Sequence, residues 1–176
     1  MNRAIAYQEQ DCSLTLQEGL DIYYSLLDSY EDKSIRIDRI IDNDGSTTMR
    51  DHDCTHVIFG LDTSLEQEAM LDTWTIYGTK FNWISILKYS IANKDLRRLY
   101  IVFFKKLGLK GFIQLYKNVR PVKNKIRKRT KMMKKKWPYN CSKDLFNQKI
   151  CDLRNDYGIK ILNDRDRLVK KVEWLD

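Results

Sequence analysis

Two prolines and seven glycines are all that punctuate 176 residues. Proline breaks a helix by removing a backbone donor, glycine by its backbone entropy, so a chain with so few of either favours long helices over a strand-rich fold. The apolar positions agree. Leu16, Leu20, Tyr23, Tyr24, Leu26 and Leu27 recur near helical spacing and predict a helix over about 14–29. A shorter helix is expected to carry Ile35, Ile37, Ile40 and Ile41, closed by the polar turn Asp42-Asn43-Asp44-Gly45. Ser46, Thr47 and Thr48 offer N-cap oxygens for a helix over 47–59, which Gly60 ends as its C′ residue. The next helix begins near Asp62-Thr63-Ser64, where Ser64 with Gln67 and Thr63 with Glu66 offer capping boxes in two registers. It extends to about Tyr77, with a kink at Gly78. Helical patterning continues over 81–92, over 96–116 around Gly108 and Gly111, and over 145–157 up to Gly158. The strand signal is confined to 158–162. The fold expected is all-α, a single-domain helical bundle over residues 1–176, with no internal repeat and no linker.

The two histidines, His52 and His56, lie four residues apart. On a helix that spacing puts both rings on one face, one turn apart, where two imidazoles can share one metal ion. Asp53 precedes His56 by three and could be a third ligand, or an acceptor that orients an imidazole. Such a centre wants a further carboxylate, and Glu66 and Glu68 both stand just past the Gly60 break. Spacing does not choose between them. The bland alternative is a helix surface that happens to carry two histidines. Cys54 is two residues from each histidine, points away from their face and reads as a packing residue. Asp51 and Asp62 read as solvent-facing or capping.

The run His52-Asp53-Cys54-Thr55-His56 followed by Glu68 has the pattern H-D-x-x-H-x11-E. It resembles the signature of the Coq-four family of coenzyme Q (ubiquinone) biosynthesis proteins. Val57, Gly60, Ala69 and Leu71 around it look similar, as does the ending Asp152-Leu153-Arg154-Asn155-Asp156-Tyr157-Gly158-Ile159. The likeness is clear over about 47–90 and weaker to about 160. It implies an all-helical fold and a metal held by His52, Asp53, His56 and Glu68, and so selects Glu68 over Glu66. It also implies work on the polyprenylated ring precursor of ubiquinone, replacing the C1 carboxyl by hydroxyl, and organisation of other pathway enzymes at a membrane. The metal expected is a divalent ion, zinc as first choice, with Fe(II), Co(II) or Mn(II) as alternatives. The sequence shows no flavin or nicotinamide motif.

The formal net charge is +8. Between Lys117 and Lys136 stand 11 basic residues and no acid; without them the chain would carry −3. Such a run is a solvated face or loop, or a contact for anionic lipid headgroups or nucleic acid. No nucleic-acid motif accompanies it, and apolar helices before it with Trp137-Pro138-Tyr139 after it favour an anionic membrane surface. Trp74, Ile76, Tyr77, Phe81, Trp83, Ile84, Leu87 and Tyr89 form the densest aromatic–aliphatic stretch, either core or the lining of a channel for an isoprenoid tail. Cys12, Cys54, Cys141 and Cys151 are dispersed without a CxxC pair, which argues against a zinc ribbon and for reduced thiols. No apolar run reaches the roughly 20 residues that span a bilayer, and the N-terminus does not read as a signal or transit peptide. The expectation is a cytoplasmic, peripherally membrane-associated, metal-dependent (oxidative) decarboxylase, free to form a homo-oligomer. Its rivals are a non-catalytic prenyl-lipid-binding scaffold with a structural metal, and a nucleic-acid module built on the basic run.

Overall fold

The computed structural model describes residues 5–29, 46–80 and 94–172. Within them the chain is mostly helical: α1 (Leu16–Ser29), α2 (Ser46–Phe59), α3 (Leu65–Gly78), α4 (Lys94–Lys131), α5 (Ile150–Tyr157) and the short α6 (Asp164–Arg167). A 3-10 turn over Ala6–Gln8 precedes α1. The helices expected around 35–41 and over 81–92 lie outside the described residues, as does the turn at 42–45.

Helix α2 is the centre of the arrangement. It packs against α1, α3, α5 and the N-terminal turn, and every residue from Asp53 to Leu61 is buried. A polar helix whose C-terminal half is buried needs a reason, because each buried polar group must find a partner. Its end is well satisfied. Gly60 at φ +68 donates to the Val57 carbonyl and Leu61 to that of His56, the paired bonds of a Schellman cap. The fully buried Arg154 then reaches the Val57 and Ile58 carbonyls from α5.

Gly158 closes α5 in the same way, at φ +68, with Gly158 and Ile159 donating to Asn155 and Arg154. A Cβ there would stand 2.7 Å from the Lys134 backbone nitrogen. Gly158→Ala is therefore expected to cost at least about 1–2 kcal/mol from left-handed strain alone, with the contact to Lys134 adding to it. A thermal melt indistinguishable from wild type would contradict this.

Several expectations are corrected. The chain is not purely α: β1 (Thr79–Lys80) and β2 (Trp137–Pro138) pair in parallel. Two-residue strands are too short to show alternation in a sequence. The signal at 158–162 is not a strand, because its backbone groups are taken by side chains. Gln10 bonds Ile159 and Ile161, and Arg129 donates to the Lys160 and Ile161 carbonyls. The helix expected over 145–157 starts only at Ile150. Ahead of it, the Phe146 and Gln148 carbonyls accept from Gln17 and Leu16, meeting donors that the start of α1 leaves open. Thr15 and Glu18 form the reciprocal capping box there. At α3, Asp62 replaces the expected boxes: it accepts from the Ser64 backbone and hydroxyl, and Gln67 folds back onto it.

Helix α4 carries the first part of the basic run, through Lys131. Gly108, at φ 60 and ψ 171, breaks it, a conformation nearly restricted to glycine. Pro121 lies on its exposed side, where water can serve the carbonyl left without a donor. Leu115, Val119, Val122 and Ile126 form a buried stripe at helical spacing, and α3 is the helix that α4 packs against most extensively. Trp137 and Tyr139, expected to favour a membrane, are buried; Trp137 meets Tyr157 edge-on at 4.9 Å. Among the described residues no helix is long and apolar enough to cross a membrane.

Candidate metal centre

Helix α2 projects His52 and His56 from one face, ring centroids 5.0 Å apart. The Gly60 turn folds α3 back beside α2 and brings Glu68, in its first turn, onto that face. Glu68 spans the two rings, with Oε1 3.1 Å from His52 Nε2 and Oε2 2.9 Å from His56 Nε2. One ligand atom from each of the three residues lies within 4.8 Å of the others.

The fit of a cation rests on the nitrogens. His56 is fully buried, and neither of its ring nitrogens has a hydrogen-bond partner among the described residues. Nε2 has only the Glu68 carboxylate beside it, at 2.9 Å, and Nδ1 has no partner. Leaving such a group unsatisfied costs about 1–3 kcal/mol. A divalent ion shared by both imidazoles and the carboxylate removes that penalty, and two nitrogens with one carboxylate oxygen are donors that such ions take. His56 is sealed, while the side chains of His52 and Glu68 are 31% and 40% exposed. The centre therefore opens on the His52–Glu68 side.

Asp53 does not join the converging atoms. Its carboxylate stands 3.6 Å from His52 Nδ1, opposite the nitrogen that faces Glu68, near enough to attract a protonated ring but beyond hydrogen-bond distance. Glu66 is excluded by its own bond: it is buried and accepts from the Val172 backbone at 2.8 Å. Asp51, expected to be solvent-facing or capping, is instead buried, accepting from the Cys141 backbone, and burial pushes its carboxyl up. Cys54 is fully buried and packs as expected; its hydrogen-bond neighbour Cys141 and burial both push its thiol up. All four cysteines are free. In the aromatic stretch Trp74 is core, stacked on Phe59 at 4.6 Å, whereas Ile76 and Tyr77 are exposed. The positions from Phe81 to Tyr89 lie outside the described residues.

Two residues near the centre escaped the sequence reading. Tyr23 of α1 lies 4.8 Å from the His56 ring. Burial, then the Asp53 and Glu68 charges, hold its phenol well above the usual value, so it stays an O–H donor. Nothing in the sequence separates it from the apolar stripe of α1. Asp72 stands one turn past Glu68 on α3; desolvation and then Glu68 raise its carboxyl. The i, i+4 spacing from Glu68 was a signal available for it.

The electrostatics set a pH dependence. Burial favours the neutral His52 ring, but Glu68 and Asp53 outweigh it and push the group up to about 10. Glu68 is driven the other way: burial works against its charge, but His56 and His52 hold it well below the carboxylate range. An ion must take a nitrogen lone pair that a proton occupies at any pH below about 10. Apparent affinity should thus rise with pH across the neutral range, each binding event releasing a proton. Calorimetric titration with zinc in buffers of different ionisation enthalpy measures both. An affinity independent of pH, without proton release, would refute this assignment.

Compared with known proteins, the chain matches no family model, no curated protein and no solved structure.

Proposed function

We propose that this chain is a metal-dependent protein of ubiquinone biosynthesis, a single helical domain acting on the carboxylated, polyprenylated ring precursor. The observation that carries the reading is the convergence of His52, His56 and Glu68, one ligand atom each within 4.8 Å of the others, with the His56 ring fully buried. The H-D-x-x-H-x11-E likeness supports the substrate class. Zinc suits the donor set; Fe(II), Co(II) and Mn(II) suit it as well. A bound divalent ion supplies Lewis acidity, stabilising negative charge that develops as carbon dioxide leaves a ring carboxylate.

The protein's own groups have distinct parts in this reading. His56 is the sealed anchor, and His52 and Glu68 border the open side where a ring carboxylate would enter. Asp53 orients the His52 ring from behind. The Tyr23 phenol, buried beside the His56 ring, supplies a neutral O–H donor at the sealed end of the site. Uniform binding of the tail would not by itself accelerate the step. Hydroxylation at C1 consumes an oxidant, so the test is run with and without dioxygen. Protein loaded with each metal is given a prenylated hydroxybenzoate, and the C1-hydroxylated product and carbon dioxide are measured. Product that disappears in Glu68→Gln supports the enzyme. Binding without turnover under every metal would move the reading to a prenyl-lipid scaffold with a structural metal.

A further inference from the structure

The outward side of α4 combines two features that do not normally coincide on a solvated helix. Leu109, Ile113 and Tyr116 follow one another at i, i+4 and i+7, and are 68%, 50% and 56% exposed. The buried stripe Leu115, Val119, Val122 and Ile126 lies on a different side of the same helix, so these three are surplus to the core. Lys110, Lys117 and Arg120 flank them and take no acidic partner among the described residues. A shallow groove of about 370 Å³ runs between Phe112, Ile113, Tyr116, Lys117 and Arg120. No Asp or Glu occurs anywhere from 96 to 143.

We propose that this face of α4, over 109–120, docks the protein on an anionic bilayer. Leu109, Ile113 and Tyr116 enter the boundary between headgroups and acyl chains, while Lys110, Lys117 and Arg120 meet lipid phosphates. The chemistry chooses the occupant. Nucleic acid would satisfy the cations but offers nothing to two exposed aliphatic side chains. A second copy would bring the same positive face against this one. A bilayer of anionic lipid offers both an apolar layer and a layer of negative charge. The assignment also redistributes the basic run. Lys134 donates to the Asn155 carbonyl, Lys135 lies 4.2 Å over the Tyr157 ring, and Lys125 and Arg129 pair with Asp166. Those residues serve the fold, and the contact moves to the segment just past Gly108.

The inference is independent of the metal centre and is tested without it. The full chain is sedimented with vesicles of phosphatidylcholine containing phosphatidylglycerol, and with phosphatidylcholine alone. Binding is expected to the anionic vesicles and to weaken with salt, since the charges are exposed. The pairs Ile113→Ser with Tyr116→Ser, and Lys117→Glu with Arg120→Glu, should each lower partitioning by about ten-fold or more. All four positions are exposed, and circular dichroism checks that the fold survives. Lys134→Gln with Lys135→Gln should stay within about two-fold of wild type, having no share in the contact. Ile113→Trp should show a blue-shifted emission, quenched by lipid-borne quencher, on anionic vesicles only. The proposal is overturned by equal binding to both vesicle types, by wild-type binding in either exposed pair, by self-association in place of vesicle binding, or by binding to nucleic acid alone.

Discussion

Glu68→Gln and His56→Ala are each expected to abolish stoichiometric metal binding. Both remove one of three converging donors, and His56 is the one with no access to water as a substitute. The loss should exceed the ten- to hundred-fold in affinity that removing an outer, orienting partner typically costs, which is the size expected for Asp53→Asn. Glu66→Gln and Cys54→Ala should retain the ion, because Glu66 is committed to the Val172 backbone and Cys54 to packing. Glu68 is partly exposed, so its amide variant separates loss of metal from loss of fold. Elemental analysis of protein purified without chelator, followed by competition against a chelating dye, reads all five. Wild-type protein that carries no divalent ion and rebinds none would end the metal reading.

Arg154→Met should be the most destabilising single change outside the centre. The guanidinium is fully buried and donates to the carbonyls of Tyr7, Glu9, Gln10, Val57 and Ile58. It thus ties the N-terminal segment to the end of α2, one turn from His56. Burial lowers the group to about 10, which leaves it charged at neutral pH. Methionine fills much of the volume but leaves several buried carbonyls without a donor, each costing about 1–3 kcal/mol before relaxation. A loss of about 3–5 kcal/mol is expected, against a total stability of roughly 5–15 kcal/mol for a domain. Arg154→Lys should not rescue it, since an ammonium lacks the planar fork that reaches several carbonyls at once. Thermal melts followed by circular dichroism should fall by at least ~6 °C; a change within about 2 °C would show the network to be dispensable.

What could be read from the chain alone was what backbone hydrogen bonding decides over a few residues. Sparse breakers and helical spacing located α1, α2 and α3, and Gly60 and Gly158 marked two helix ends, because a left-handed cap needs only the residue itself and its neighbours. The His52–His56 pair belongs here too: four residues on a helix place two rings together whatever the rest of the chain does. Tertiary structure decided everything that depended on a distant partner. The choice of Glu68 over Glu66, which spacing left open, follows from where residue 172 docks. Asp51 is buried because residue 141 comes to cover it, and Tyr23 lies against His56 because α1 packs on α2. The basic run could be counted in the sequence, but which of its charges face outward is set by the contacts of α4 with α3 and α6 and by those of Lys134 and Lys135, just past it, with α5. Side-chain identity determines what a group can do; contacts between residues far apart in sequence determine which atoms remain available to do it.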